Sequence, residues 1–253
     1  MRTDYAEIFQ SDAAVEKYES VVYAPDSYST AVSVRQRAFL RCLVRREFTE
    51  RRPVQHDFAC GTGRAIRLLH GVVRAAHGYD VSPVMLAKAR ESGVYAKLHD
   101  ISESGPVPEP ATVDGPALVT VFRLLLNTPE EVRDRAIAFA AKVLPRPRSG
   151  LLVVENHGNR SSLRHLRHRR HLGNQWFAEL DHEEVEALLR RHGFEVLERR
   201  GFAVCPSGAY RMSWLRPLAR RIDNLATRMT RLANVSTDVL YVARRLSGPD
   251  GDR

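Results

Sequence analysis

The sequence predicts an α/β fold built on a mostly parallel sheet, and three observations carry that prediction. From Val54 onward, short strand-like runs alternate with helix-patterned segments, as in a chain of βαβ units. Ala117 to Phe122 is apolar apart from Thr120, as expected for a strand covered on both faces. A glycine-bearing turn, Asp57 to Arg64, lies between the first strand and its helix, and Asp80 and Asp100 end the next two strands.

In chain order, residues 1–52 read as a helical N-terminal cap carrying Tyr5, Phe9, Tyr18, Tyr23, Tyr28 and Phe39, with Pro25-Asp26 marking a break. Val34, Ala38, Leu40, Val44 and Phe48 recur at roughly helical spacing over Val32 to Phe48. Strands are expected over 54–59, 75–80, 95–100, 117–122, 151–154, 194–197 and 239–242. Helices are expected over 64–69, from Pro83 with Ser82 as N-cap, over 130–144 and over 183–191. The main domain then covers 53–247, with 158–178 and 206–235 as substrate-side or cap insertions and 248–253 as a tail. A stripe of Trp214, Leu218, Ile222, Leu225, Met229 and Leu232 is expected to pack on the sheet or on the cap, an anionic membrane being the lesser alternative.

The chain has 253 residues, 43% hydrophobic and 27% charged, which excludes a disordered chain and allows a full core without staples. No stretch approaches the roughly 20 apolar residues of a membrane span. The first residues lack a charged-then-apolar leader pattern, so a cytoplasmic location is expected. Cys42, Cys60 and Cys205 are far apart, which argues against a disulfide framework or a cysteine zinc site, and no metal is expected. The formal charge of +9 comes from 39 basic against 30 acidic residues, and 35 of the basic ones are arginine. Base composition of the coding DNA explains arginine over lysine, while guanidinium forks for phosphate or carboxylate are the functional alternative.

Glycines in Asp57-Phe58-Ala59-Cys60-Gly61-Thr62-Gly63-Arg64 let a backbone approach a ligand closely before a helix N-terminus. Asp80 can accept hydrogen bonds from two ribose hydroxyls, and Asp100 ends a strand on the same rim. A dinucleotide dehydrogenase would want a third small residue three positions after Gly63, where Ile66 stands. With this spacing the segment resembles motif I of the class I S-adenosylmethionine-dependent methyltransferases, with Ala59 in place of the usual first glycine. Gly78 to Leu86 resembles their second motif and His99-Asp100-Ile101 their third. Leu144 to Glu155 is similar to the passage into strand five, although Arg146 to Gly150 departs from the common Pro-Gly-Gly turn. Leu180 to Val196 is also similar to this family.

The resemblance covers about residues 53 to 245. It implies a Rossmann-like, mostly parallel seven-stranded sheet with an antiparallel last strand, Phe194–Leu197 pairing with Val239–Val242. It implies S-adenosyl-L-methionine as cofactor and S-adenosyl-L-homocysteine as product. Asp57, Ala59, Cys60, Gly61, Gly63, Asp80, Val81, Asp100, Ile101 and Phe122 would then line the cofactor, with Tyr28 and Arg35 closing over it from the cap and Arg35 on the methionine carboxylate.

Two segments after strands would face the methyl group, 122–127 and 155–160. His157 is the candidate base for an acceptor hydroxyl, or alternatively a loop-stabilising or substrate-bonding residue. Tyr23, Arg123, Asn127, Asn156, Asn159, Arg160 and Arg164 are the candidate substrate contacts. The basic run 160–171 reads by default as a solvated helix and alternatively as a phosphate contact. The expected activity is methyl transfer, preferentially to oxygen, onto a small polar or anionic metabolite of specialised-metabolite, glycan or nucleotide-sugar biosynthesis. The alternatives are an RNA methyltransferase, which lacks an appended RNA-binding motif here, and a non-catalytic cofactor- or partner-binding domain.

Overall fold

The computed structural model describes residues 26–102, 104–112, 114–168 and 179–246, with the side chains of Asn127, Arg167 and His168 excepted. The expectations for residues 1–25 (Tyr23 among them), for 169–178 and for the tail 248–253 lie outside the described residues.

Helix α1 (Tyr28–Glu47) starts earlier than its apolar spacing suggests, because Ser27 caps it by accepting from the Thr30 amide at 3.1 Å. Then follow β1 (Val54–Phe58), α2 (Arg64–Leu69), β2 (Ala75–Asp80), α3 (Pro83–Glu91) and β3 (Lys97–Asp100). Ser82 caps α3, its hydroxyl accepting from the Met85 amide at 3.2 Å. The second half holds β4 (Ala117–Val121), α4 (Glu130–Val143), β5 (Gly150–Asn156), α5 (Leu163–His168), α6 (His182–Arg191) and β6 (Phe194–Gly201). Helices α7 (Ser207–Arg211) and α8 (Arg216–Ala226) precede β7 (Val239–Arg245).

The strands form one seven-stranded sheet in the order β3-β2-β1-β4-β5-β7-β6. All pairings are parallel except those of β7 with β5 and β6. The chain therefore leaves β1 to β6 at one rim and enters β7 from that same rim. Every loop expected to hold a ligand, and the long insertion between β6 and β7, is collected there.

Both faces of the sheet are covered. Leu118 and Phe122 point with Leu151, Val153, Leu240 and Val242 into a layer under α1 and α2. Val119 and Val121 point with Leu152, Val154 and Tyr241 into a layer under α4 and α6. Two-sided burial explains why β4 reads as an almost unbroken apolar run. The polar first strand has a different explanation. His56 is fully buried, its ring 5.3 Å from that of His77, and its Nδ1 lies 3.1 Å from the Tyr79 hydroxyl. Burial, then the neighbouring histidines, lower its pKa to about 4, so it packs as a neutral aromatic.

Several expected boundaries move. The first strand stops at Phe58 because Ala59 turns left-handed, with φ 56°. The third begins at Lys97 instead of Tyr95, which is exposed. The fifth runs on to Asn156, and the last two extend to Gly201 and Arg245. Gly150 opens β5 where the Pro-Gly-Gly turn was missing; a Cβ there would lie 1.7 Å from the Ala117 carbonyl oxygen, so only glycine permits that approach.

The largest correction concerns the stripe expected to pack inward. In α8 and its flanks only Ala219, Asp223 and Ala226 are buried along the helix, whereas Trp214, Leu218, Ile222, Leu225 and Met229 are exposed. The helix is held by its small residues and by Asp223, so its large apolar side chains are left facing outward.

Candidate functional site

The turn after β1 uses three left-handed residues in five: Ala59, Gly61 and Gly63. A side chain at Gly63 would run into Val94, while Gly61 has open space where a Cβ would stand. The turn is tied to β2 by Asp80, whose Oδ2 accepts from the Gly61 amide at 2.7 Å and whose Oδ1 accepts from the Ser82 amide at 2.9 Å. Burial raises the Asp80 pKa in spite of these bonds. A carboxylate fixed in this way beside an open glycine backbone keeps lone pairs for further hydroxyl donors. Val81 and Asp100 are exposed and Ile101 half-buried on the same rim. Cys60 is buried, and burial pushes its thiol pKa up, which makes it a packing residue.

Asp57 is placed differently from the expectation of a ligand contact. It is 1% exposed, and its Oδ1 accepts from the Thr120 hydroxyl at 2.6 Å, with the Gln55 amide donating to that same hydroxyl at 3.0 Å. Burial raises its pKa to about 7. The folded state therefore favours the protonated form, and this contribution to stability is full below the unfolded pKa of about 4 and lost as pH rises through about 7. Asp57→Asn, which keeps the acceptor for Thr120, is expected to gain stability over the native protein by about 4 kcal/mol more at pH 8 than at pH 4. Urea unfolding at both pH values measures this, and a pH-independent difference would count against it.

On the acceptor side the node is Glu155, a fully buried carboxylate in β5. Gln36 of α1 donates to it at 2.7 Å, Arg64 of α2 at 3.1 Å, and the Arg123 amide at 3.1 Å. Arg64 also bonds the Gln36 side-chain oxygen, and its guanidinium lies 5.7 Å from the centre of the Phe122 ring. Burial pushes the Glu155 pKa up, but the charges of Arg64 and Arg123, with His157 and Gln36, outweigh it and hold the pKa at about 2. Arg123 adopts φ 61°, an uncommon conformation for a side-chain-bearing residue, and there its amide meets Glu155.

Next along the strand, His157 is 9% exposed, and burial, then the charge of Arg123, lower its pKa to about 3. It stands one step beyond the last β5–β7 pair, Asn156 with Val239, and Asp238 is one step before that pair on the β7 side. Asp238 is buried, and burial, then the charge of Glu155, raise its pKa to about 6. Its Oδ2 accepts from the Tyr28 hydroxyl at 2.5 Å. Tyr28, expected against the cofactor, is thus tied to the acceptor side of the rim.

Other expected contacts are committed elsewhere. Arg35 is buried, donating to the Phe202 carbonyl at 2.9 Å and the Tyr210 hydroxyl at 3.0 Å, with Asp223 at 3.4 Å. These partners lie just past β6 and in the insertion, so Arg35 fastens α1 to the insertion and its donors are already committed there. Asn156 donates to the Leu180 carbonyl at 2.9 Å and Asn159 to the Ser236 carbonyl at 2.9 Å, and both are buried. They staple loops and are withdrawn from a substrate. Arg160 is ion-paired with Asp181 at 2.5 Å and Glu184 at 2.9 Å, at the N-terminus of α6. Arg164 is exposed, and its charge acts on His157 and Tyr28. Asn127 lies in a single 3-10 turn, Leu125–Asn127. No group of three or more metal-ligating side chains occurs among the described residues.

Sequence reasoning missed Gln36, Arg64, Glu155 and Asp238 as site residues. The one signal for Glu155 and Asp238 was an acid abutting an apolar strand, Leu151–Val154 in one case and Val239–Val242 in the other.

No family model matches the chain. No curated protein matches it in sequence. Solved structures do match. A methyltransferase seen in complex with the Haloferax volcanii Trm112 activator is 14% identical at a TM-score of 0.57, over 97% of this chain and 100% of that one. Magnesium protoporphyrin IX methyltransferase from Synechocystis, with S-adenosylmethionine bound, is 13% identical at 0.57, over 95% and 94%. An S-adenosylmethionine-dependent methyltransferase from Clostridium acetobutylicum is 12% identical at 0.56, over 93% and 98%. At such identities the likeness establishes the fold, which is that of the class I methyltransferases.

Proposed function

We propose that the protein is an S-adenosylmethionine-dependent methyltransferase acting on a small polar or anionic metabolite, with oxygen as the favoured acceptor atom. The observation that carries the reading is the clamp between Asp80 and the Gly61 amide, beside open backbone, on the rim of a class I methyltransferase sheet. The donors and acceptors present suit this cofactor. Asp80 would hold the ribose, Asp100 and Ile101 the adenine, and the Gly61 backbone the amino-acid end. When bound, the cofactor supplies an electrophilic methyl group.

The chain's own residues then have defined tasks. Glu155 holds the turn after β4 and the start of α2 in one place, so that the acceptor segment has a single geometry. His157 is neutral at physiological pH and takes the proton of the acceptor hydroxyl. That proton becomes strongly acidic as its oxygen is alkylated, so a weakly basic imidazole suffices. Asp238, at the same end of the β5–β7 pair and bonded to Tyr28, would stabilise the resulting cation. Arg164, exposed on this side of the site, is the cation that would meet an anionic acceptor there.

Calorimetry with S-adenosylhomocysteine tests the cofactor, and no affinity would remove the reading. For the base, His157→Ala is expected to bind S-adenosylhomocysteine as the native protein does. Its turnover is expected to fall about a hundredfold with hydroxylated acceptors found by screening for S-adenosylhomocysteine release. Full turnover in that variant would exclude His157 as the base.

A further inference from the structure

The outward face of α8 has a pattern that methyl transfer does not use. Leu218, Ile222 and Leu225 are 55%, 45% and 62% exposed, and Trp214 and Met229, in the turns flanking the helix, are 75% and 51% exposed. Leu218, Ile222 and Leu225, at spacings of four and three, share one line of α8, and Trp214 and Met229 stand four residues before and after them in the flanking turns. Arg221, three residues beyond Leu218, borders that line, and Arg228 stands in the turn just after the helix. The insertion is one-signed in its exposed charge. From Ser207 to Ser236 its acid is Asp223, which is fully buried and accepts from the Val204 amide at 2.9 Å and the Tyr210 hydroxyl at 2.6 Å. Arg216 and Arg220 pair with Asp26. Arg211, Arg221, Arg228 and Arg231 are exposed, and none has an ion pair among the described residues.

We propose that this face docks the protein peripherally on an anionic lipid surface, with Trp214, Leu218, Ile222, Leu225 and Met229 entering the interface and the bordering arginines meeting the headgroups. A narrow apolar line flanked by arginine, with tryptophan at one end and no exposed carboxylate of the insertion's own, is complementary to negatively charged lipid, and the neighbouring Asp26 is already paired with Arg216 and Arg220. No helix among the described residues is long and apolar enough to cross a membrane, so the attachment is to the surface. The proposal does not depend on the methyl-transfer reading, and its test needs no cofactor.

The test is co-sedimentation of the full chain with phosphatidylcholine vesicles, with and without phosphatidylglycerol, together with its mass in solution. The native protein is expected to be monomeric, to bind the anionic vesicles and to leave neutral ones free. Arg221→Gln with Arg228→Gln is expected to weaken binding about twenty-five-fold, at about fivefold per arginine. Leu218→Ser with Ile222→Ser and Leu225→Ser is expected to abolish binding, and since these side chains are exposed the variant should melt within a few degrees of the native protein. Failure of the native chain to bind anionic vesicles overturns the proposal. So does binding unchanged in the serine variant, which would make the attraction a matter of net charge alone. A native dimer that the serine variant dissociates would overturn it in favour of a second copy of the chain as occupant.

Discussion

Glu155→Ala is expected to cost about 3–5 kcal/mol of folding stability at neutral pH, the largest loss foreseen for a single site in this protein. The carboxylate is fully buried and serves three donors from separate parts of the chain: the Gln36 amide, the Arg64 guanidinium and the Arg123 backbone N–H. Removing it leaves a guanidinium only 14% exposed without its counter-charge and two further donors without an acceptor. Glu155→Gln, which keeps an acceptor oxygen but not the charge, should lose less. The pH dependence follows from a folded pKa of about 2 against an ordinary value of 4.5. The stabilisation is present above the unfolded value and lost as pH falls through the folded one, so the gap between native and Glu155→Ala proteins should close in acid. Urea unfolding at neutral pH and near pH 3 measures it. A gap below about 1 kcal/mol at neutral pH, or one that does not shrink in acid, would show that the node does not hold the fold together.

Asp80→Ala is expected to weaken S-adenosylhomocysteine binding at least about a hundredfold, equivalent to about 2.7 kcal/mol. Two charge-assisted bonds are lost together, from Gly61 at 2.7 Å and Ser82 at 2.9 Å, so the turn loses its fixed path along with its ribose acceptor. Asp80→Asn can still accept through one oxygen but presents a donor at the other, and an intermediate loss of about tenfold is expected. Titration calorimetry reads both variants, with thermal melting as the control for folding. An affinity within threefold of native for Asp80→Ala would mean that the cofactor, if bound, lies elsewhere on the rim. These two carboxylates answer different questions, since Asp80 tests the cofactor side and Glu155 the framework that joins it to the acceptor side.

The features most legible in the sequence were those set by local chemistry. The left-handed turn at Gly61 and Gly63, the Ser82 cap and the two-sided burial of Ala117–Val121 each leave a mark within a few residues. Arg35, Asn156 and Asn159 were harder to read because a polar side chain near a site looks the same whether it faces a ligand or a buried carbonyl. What distinguishes the two is a partner far along the chain, such as Phe202 for Arg35 or Ser236 for Asn159. The α8 stripe misled for a related reason. Helical spacing shows that apolar side chains share a line, but it does not show which side of the helix meets the protein, and here Ala219, Asp223 and Ala226 meet it.

The sequence by itself determined the alternating α/β order, the glycine turn and the acids that end the second and third strands. Their periodicities and turn chemistry are properties of neighbouring residues. Only the tertiary structure decided that Glu155 gathers Gln36, Arg64 and Arg123, that His157 and Asp238 come to the same end of the β5–β7 pair, and that a line of apolar side chains on α8 faces outward. The first two depend on the sheet order β3-β2-β1-β4-β5-β7-β6, which brings distant residues to one rim where burial and charge act on them together, and the third on Ala219, Asp223 and Ala226 being the side of α8 that packs on the protein.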